Sequence, residues 1–414
     1  MNNAEDSERA RRWPLAATLL IGFGAVLVGL IAWFVMRPQP DRLLKRALAV
    51  AERDPVAAEG LLRRAIQVSR SGYPDAQLAL CLVLVSRGQW EAALEQWREV
   101  DRDRCRADML LAFGREALQA KHRSAARDIL ESLAERNAPQ GAEALELLIT
   151  EYYDCDQLHS AIDAARRLVR REPNNPDGWR QLGKLLKDVY REEEFVQTMR
   201  DAMSRDVSED ERREFAHRLV DALIANGDAA AAWQLVRELQ RSEGDSTRVR
   251  GYEIDLYRLE GEPEQALAAL NQIFSEIQME RSAYFTRGSI YLDLRRLEEA
   301  VRDLETAVAR DPSNDFPRAA LADALRRLGK TDEARRQREI AERIHAKRSR
   351  YDKLLRRRPA DPHNREIYEE LVGLARELQE PDAAEYFEER VNRLATGSGC
   401  PEARGGKEIV ESKK

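Results

Sequence analysis

The triplet Gly329-Lys330-Thr331 has the residue types that end a phosphate-binding loop. In such a loop, backbone amides and the lysine hold phosphate oxygens while the hydroxyl binds Mg²⁺. The loop also needs a preceding strand and a second glycine five residues before the glycine of the triplet. Position 324 is Ala, and residues 316–328 have the spacing of a helix rather than the alternation of a strand. The triplet therefore predicts a turn after a helix, not a nucleotide site.

Other residue types that support catalysis or metal binding lack the spacing that such sites need. No two histidines flank a glutamate at i, i+4, and the sequence has no serine elbow, dinucleotide fingerprint or CxxC pair. We therefore predict no enzymatic activity, no catalytic residue, no metal and no cofactor, and we expect the histidines on the surface or in a groove. The residues concerned are His122, His159, His217, His345 and His363, with Cys81, Cys105, Cys155 and Cys400.

The composition predicts an all-α protein. Charged residues make up 34% and hydrophobic residues 43% of the 414 positions, and the good helix formers Ala, Leu, Glu and Arg dominate. The net charge of −6 is mild, which argues against a chain that binds nucleic acid through its overall charge.

Residues 13–36 form an uncharged apolar run that predicts a transmembrane helix. The run is long enough to cross about 30 Å of hydrocarbon, and Trp13 and Trp33 stand where interfacial aromatics belong. Its exit, AWFVMRPQP, is a poor cleavage site, so we interpret the run as an uncleaved signal anchor after a short polar tail, residues 1–12. A cleaved signal peptide is the alternative.

The orientation of this anchor follows less directly from charge. Three arginines lie in the short tail before the run, and a tail of that kind resists crossing the membrane, but basic residues also follow the run. We expect a bacterial inner-membrane protein with its large domain outside the cytoplasm, and the opposite orientation stays open. One face of the span carries small residues that would permit helix pairing and a homo-oligomer, namely Gly22, Ala25, Gly29 and Ala32. Ordinary Gly and Ala content of a span is the other interpretation.

A repeat of 34 residues runs through the chain. Alanines recur at that interval, and glycines recur five residues before them, with Arg295 at the place of a fourth glycine. A glycine on this lattice ends one helix at positive φ before the next begins, which explains Gly329 in the triplet above. The lattice positions are Ala232, Ala266, Ala300 and Ala334, with Gly227, Gly261 and Gly329.

Residues 281–314 carry this pattern most completely and resemble the tetratricopeptide repeat family. They place large, small and helix-ending residues where that family has them, at Tyr284, Gly288, Tyr291, Ala300, Leu304, Ala307 and Pro312. Arg287 departs from the pattern, because the family has Leu at the seventh position. Small residues such as Gly288 allow the two helices of a repeat to approach closely.

The resemblance implies a right-handed superhelical solenoid of antiparallel helix pairs over residues 37–395, without a further domain boundary. We count roughly nine to ten helix pairs at this period. The best repeats are 142–175, 247–280, 281–314 and 315–348, and the weak terminal ones fit the role of caps. The tail, residues 396–414, is rich in Gly and polar residues and is predicted to be disordered.

The resemblance also implies that the first helix of each repeat lines a concave groove that binds a protein or peptide. Some relatives hold a peptide carboxylate with lysines and asparagines in this groove; the asparagines are missing here, so we do not carry that activity over. A basic stripe that suits an extended acidic segment is nevertheless predicted from Arg180, Lys184, Lys187, Arg218, Arg248 and Arg258. The alternative is a mixed solvated face, because Asp188, Asp221 and Asp255 share it.

These features predict a membrane-anchored interaction scaffold whose partner the sequence does not identify. The alternative is a cytoplasm-facing regulatory protein that meets nucleic acid or anionic lipid through the basic segment 343–359. A solvated connecting helix is the plainer interpretation of that segment, since it contains few aromatic residues for stacking on bases.

Overall fold

The computed structural model describes residues 39–69, 72–280 and 282–396, and within them all regular structure is helical. No helix in these ranges is long and apolar enough to cross a membrane. The predicted anchor 13–36, its small-residue face and the tail from residue 397 lie outside the described ranges, so these predictions stay as they were made. Outside them too lie Gly22, Ala25, Gly29, Ala32 and Cys400.

The chain divides into two compact units, with the boundary between Gly141 and Ala142, whereas the sequence predicted one uninterrupted array. Most helices of the first unit lie in three pairs: α1 Pro40–Val50, α2 Pro55–Val68, α3 Pro74–Ser86, α4 Trp90–Arg98, α5 Ala107–Gln119 and α6 Arg123–Ala134. A short 3-10 helix, Arg102–Arg104, separates α4 from α5.

The second unit contains seven helix pairs. Their bounds are α7 Gln140–Asp154, α8 Leu158–Arg171, α9 Pro176–Asp188, α10 Glu192–Met203, α11 Glu209–Ala225, α12 Ala229–Glu243, α13 Thr247–Leu259, α14 Pro263–Ile277, α15 Ala283–Asp293, α16 Leu297–Arg310, α17 Asp315–Arg327, α18 Thr331–Arg357, α19 Arg365–Glu377 and α20 Pro381–Ala395. The helix α18 is about twice as long as the other helices of the unit. The predicted basic segment 343–359 lies on α18 and in the 3-10 turn that follows it, Arg358–Ala360.

In nine of the ten described helix pairs, the turn contains one residue at positive φ, and the turn between α1 and α2 contains none. Gly329 has a φ of +80°, and Arg295 has a φ of +57° at the place where the lattice lacks a glycine. The triplet Gly329-Lys330-Thr331 is therefore a helix-ending turn, as predicted. Further turns use non-glycine residues that the sequence gave no reason to expect at positive φ, namely Lys121, Asp156, Tyr190 and Gln379.

The alanines of the lattice lie in the contact between paired helices. Ala232, Ala266 and Ala300 are all 0% exposed. A Cβ added to Gly288 would lie 2.8 Å from the Cγ of Leu304, closer than atoms normally pack. These positions are small because the two helices of a pair approach closely there, as the repeat pattern predicts.

Arg287 fills the position where the repeat pattern has Leu. Its guanidinium donates two hydrogen bonds to the carboxylate of Asp303, at 2.6 and 2.9 Å. It also lies over the ring of Phe274, 3.5 Å from the ring centroid. The apolar anchor of the pattern is replaced by a forked ion pair packed on an aromatic ring.

First helices lie on the inner side of each curved unit. In the second unit α11 contacts α13, and α15 contacts α17, across the second helix that separates them in sequence. In the first unit α1 contacts α3, and α3 contacts α5. Elements on the inside of a curve come closer together, so the first helices line the concave surface, as the resemblance implies.

The two ends of the second unit meet. The hydroxyl of Tyr368 in α19 donates a hydrogen bond to Asp156 in the turn before α8, and Arg358 lies 3.2 Å from the same carboxylate. Arg390 in α20 donates to the carbonyl oxygen of Asp154. We call Asp156, Arg358 and Tyr368 the closure cluster. The sequence predicted an open stack of repeats and gave no indication of this contact.

Candidate binding groove of the second unit

The arginines of the predicted basic stripe lie on first helices, but carboxylates neutralise them. Arg180 in α9 pairs with Asp177 at 2.6 Å and with Glu214 at 2.7 Å. Glu214 also accepts a hydrogen bond from Arg218 in α11 at 2.8 Å. The pKa of Glu214 is held below its usual range, first by the hydrogen bond from Arg180. These two arginines are therefore part of an internal network rather than an open cationic surface.

The remaining two arginines of the stripe have looser partners. Arg248 in α13 lies 3.5 Å from Asp221, and Arg258 lies 3.8 Å from Asp255. Both distances exceed the 2.7–2.9 Å of a charge-assisted hydrogen bond. Arg248 instead donates through Nε to the hydroxyl of Tyr252, at 2.9 Å.

The two lysines of the stripe have aromatic rather than acidic neighbours. The ammonium group of Lys184 lies 4.4 Å from the ring centroid of Tyr153, and that of Lys187 lies 5.4 Å from that of Phe195. Both side chains are exposed, and neither makes an ion pair within the part of the chain that the structure describes. The six predicted residues all lie on the first helices α9, α11 and α13, as a mixed surface rather than a basic stripe. Burial raises the pKa of Asp188 in α9, and the charge of Lys184 opposes that rise.

A pocket of about 490 Å³ opens between α13 and α15, and sequence reasoning missed it. Its floor is apolar and comes from the core side of α13 and from α14. Its rim is polar and comes from α11, the start of α13 and the segment that begins α15. The floor residues are Ile254, Leu270, Ile273 and Ile277; the rim residues are Asp221, Thr247, Arg248, Tyr252, Asp255, Glu280, Ser282 and Thr286.

Gly251 provides open space in the wall of this pocket. A Cβ built on it would meet no heavy atom within 4 Å, in contrast to Gly288 one repeat later. Gly251 stands at the fifth repeat position, one of those that line the groove in the family that residues 281–314 resemble. A glycine there, in a helix interior where it costs stability, was the available sequence signal for the pocket.

The surroundings of Asp255 on the pocket rim disfavour the charged form of its carboxylate. Its side chain is 51% exposed, so about half of it is removed from water. Loss of hydration raises the pKa of Asp255 above its usual range, and the negative charge of Asp221 raises it further, while Arg258 lowers it.

A buried aromatic network supports the other side of the rim. The Nδ1 atom of His217 in α11 lies 3.2 Å from the hydroxyl of Tyr252, and its Nε2 atom lies 2.9 Å from a carboxylate oxygen of Glu243. Burial raises the pKa of Tyr252 to about 12 and lowers the pKa of His217, with the charge of Arg248 second for the histidine. His217 is thus buried beside the groove, where it fixes the ring of Tyr252.

The basic segment 343–359 lies on α18 and in the turn after it, and much of its charge is compensated. Lys347 pairs with Glu377 at 2.7 Å, and Arg350 pairs with Glu370 at 2.6 Å. Arg358 is buried in the closure cluster. Exposed cations such as Lys353 and Arg357 remain. The segment behaves mainly as a connecting helix that ion pairs attach to α19.

No group of three or more potential metal ligands occurs among the described residues.

Comparison with known proteins identifies one repeat directly. Residues 282–314 match the family model described as tetratricopeptide repeat. This stretch is α15, α16 and the turn that follows, and it coincides with the best repeat of the sequence pattern. No protein of curated function matches the chain.

Solved structures with a similar helical-repeat fold share little sequence with this chain. A tetratricopeptide repeat protein from Parabacteroides merdae is 14% identical, with 57% of this chain and 93% of that chain covered and a TM-score of 0.46. The human IFIT1 dimer with m7Gppp-AAAA is 14% identical, with coverages of 86% and 94% and a TM-score of 0.39. A chain in the structure of the APC/C hetero-tetramer Cut9–Hcn1 is 13% identical, with coverages of 93% and 86% and a TM-score of 0.35.

Proposed function

We propose that this protein is a membrane-anchored interaction scaffold that binds an extended polypeptide segment in the groove of its second unit. The observation that carries the proposal is the pocket between α13 and α15, with its apolar floor, polar rim and open space at Gly251. A concave site with an apolar floor and a few polar groups is the usual form of a recognition site.

The chemistry of the groove fits a peptide better than a small metabolite. The rim offers the hydroxyl groups of Ser282 and Thr286, which suit the amides and carbonyls of an extended backbone, whereas the hydroxyl of Thr247 already donates to Glu276 at 2.5 Å. Lys184 and Lys187 on α9 extend the contact surface along the first helices, two helix pairs before α13. A segment of polypeptide is long enough to contact both places at once.

Anchoring at residues 13–36 is the membrane part of this proposal. A scaffold held at a bilayer meets partners of the same membrane at raised effective concentration, so that each single contact need not be strong. We propose that the repeat units lie outside the cytoplasm. An alkaline phosphatase fused after residue 396 is expected to be active; an inactive fusion, with a cytoplasmic reporter active at the same place, contradicts this orientation.

Site-specific photo-crosslinking tests the groove itself. A photoreactive amino acid at position 251 of the full chain is expected to capture a polypeptide in cells, since this position faces open space at the pocket. The matched control is position 60, a glycine in α2 of the first unit that also has no heavy atom within 4 Å of a built Cβ. Equal capture at both positions, or capture at position 60 alone, contradicts the proposal.

A further inference from the structure

The acidic rim of the pocket between α13 and α15 carries more negative than positive charge. Three of its lining residues are carboxylates, Asp221, Asp255 and Glu280, and one is a cation, Arg248. This is the opposite of the basic stripe that the sequence predicted for the groove. The excess of negative charge lies at the pocket, and the exposed Lys184 and Lys187 lie on α9.

The carboxylates of the pocket are incompletely compensated compared with others in the same unit. Asp221 and Asp255 have arginine partners at 3.5 and 3.8 Å, respectively. The buried carboxylate of Asp303, by contrast, receives Arg287 at 2.6 Å, and Glu214 receives Arg180 at 2.7 Å. The ion pairs of Glu214 and Asp303 are therefore tighter than those of the two aspartates at the pocket.

The two aspartates also repel each other. The charge of Asp221 is one of the causes that raise the pKa of Asp255, after the loss of hydration. A positive charge placed near both would reduce that repulsion and add to the counter-charge of Arg248 and Arg258, which lie 3.5 and 3.8 Å from Asp221 and Asp255, respectively.

The shape of the pocket fits a long side chain that is apolar along its stem. The wall at Gly251 is open, and Ile273 and Ile277 offer apolar surface on which methylene groups would pack. Lysine and arginine combine such a stem with a cationic end that reaches polar surroundings. A glutamate or aspartate would meet three carboxylates instead.

From this charge and shape we infer that the pocket receives a lysine or arginine side chain of the bound segment, with the cation between Asp221 and Asp255. The inference rests on the proposed peptide-binding function and specifies its ligand. A bound segment would then present a basic residue at the pocket and acidic residues to Lys184 and Lys187, which fixes the direction in which the segment lies.

Selection from a random nonapeptide display library against the immobilised full chain tests this inference. We expect enrichment of lysine or arginine at one position of the selected peptides. Exchange of that residue for norleucine in a selected peptide should weaken binding at least about tenfold, because one charge-assisted interaction is lost. The double variant Asp221→Asn/Asp255→Asn should select peptides without enrichment of lysine or arginine. It should also bind the selected peptide and its norleucine form with equal affinity.

The matched control is Asp206→Asn/Glu305→Gln, which removes two exposed carboxylates that make no ion pair or hydrogen bond within the described residues. This variant has the same change in net charge and should keep the preference. Selected peptides without a basic preference, or with a preference for glutamate, would overturn the inference and leave the groove in place. Selection of no peptide, together with no capture at position 251, would overturn the groove as well.

Discussion

The hydroxyl of Tyr368 donates a hydrogen bond to the carboxylate of Asp156, which precedes it in the chain by 212 residues. Asp156 is 0% exposed, and the side chain of Arg358, which is 9% exposed, lies 3.2 Å from the same carboxylate. The cluster joins the last helix pair of the second unit to the first. A buried charge of this kind is tolerated only while its partners stay in place.

Removal of the charge of Asp156 should destabilise the second unit. Asp156→Asn keeps a residue that accepts the positive φ of this turn, but it removes the carboxylate charge 3.2 Å from the buried Arg358, and we expect a loss of about 3 kcal/mol in the free energy of unfolding. Tyr368→Phe removes one hydrogen bond and should cost about 1 kcal/mol. Urea denaturation measures both, with Asp206→Asn as the exposed control. An Asp156→Asn protein that unfolds at the wild-type urea concentration contradicts the role of the cluster.

Alkaline pH should weaken the same contact. Burial raises the pKa of Tyr368, followed by the charge of Asp156, and burial raises the pKa of Tyr153 and of Tyr386 to about 12. In the unfolded chain these hydroxyls lose their protons near pH 10. The folded state then holds more protons than the unfolded state, so stability falls as the pH rises above about 10.

Thermal melting between pH 9 and pH 11 checks this dependence. The Tyr368→Phe variant starts from a lower melting temperature at pH 9 but should lose fewer degrees up to pH 11 than the wild type. An equal loss in the two proteins would show that Tyr368 contributes nothing to the dependence.

Arg287 and Asp303 should depend on each other. Arg287→Leu restores the residue of the repeat pattern but leaves the carboxylate of Asp303 buried and unpaired, and we expect a loss of about 3 kcal/mol. The double variant Arg287→Leu/Asp303→Ala removes that charge and should recover more than half of the loss. Chemical denaturation of the four proteins of this cycle gives the coupling free energy. Additive losses from the two single changes would contradict an ion pair of this strength.

Substitution of glycine by alanine should have opposite effects on stability at Gly251 and at Gly288, which lie in adjacent repeats. Gly288→Ala places a methyl group against Leu304 and should cost about 1–3 kcal/mol. Gly251→Ala meets open space inside a helix and should stabilise by about 0.5–1 kcal/mol. Melting temperatures that fall by the same amount in both variants would contradict the packing described for these two sites.

Local features of the fold could be predicted from the sequence, because they repeat. The spacing of Ala232, Ala266 and Ala300 indicates a close contact between paired helices that recurs from one pair to the next. Gly329 indicates a turn that needs positive φ. Turns at Lys121 and Tyr190 escaped prediction because their residues seldom adopt that conformation, and tertiary packing imposes it.

Long-range features could not be predicted in the same way. The contact between Asp156 and Tyr368 depends on the rotation accumulated over seven helix pairs, which no local pattern records. The groove was predicted from the position of first helices, but its charges were not, because acids such as Glu214 reach Arg180 from the neighbouring repeat. Gly251 was the sequence signal for the pocket, but a helical glycine in the sequence can indicate either open space or a closely packed neighbour.

Binding of a selected nonapeptide to Gly251→Leu tests the central claim, that a polypeptide segment occupies the pocket between α13 and α15. A leucine at this position would fill space that is open in the wild type, so we expect affinity by fluorescence anisotropy to fall at least about tenfold with the fold intact. Gly60→Leu, the matched change in the first unit, should bind as the wild type does. Wild-type affinity in a folded Gly251→Leu protein would contradict the claim.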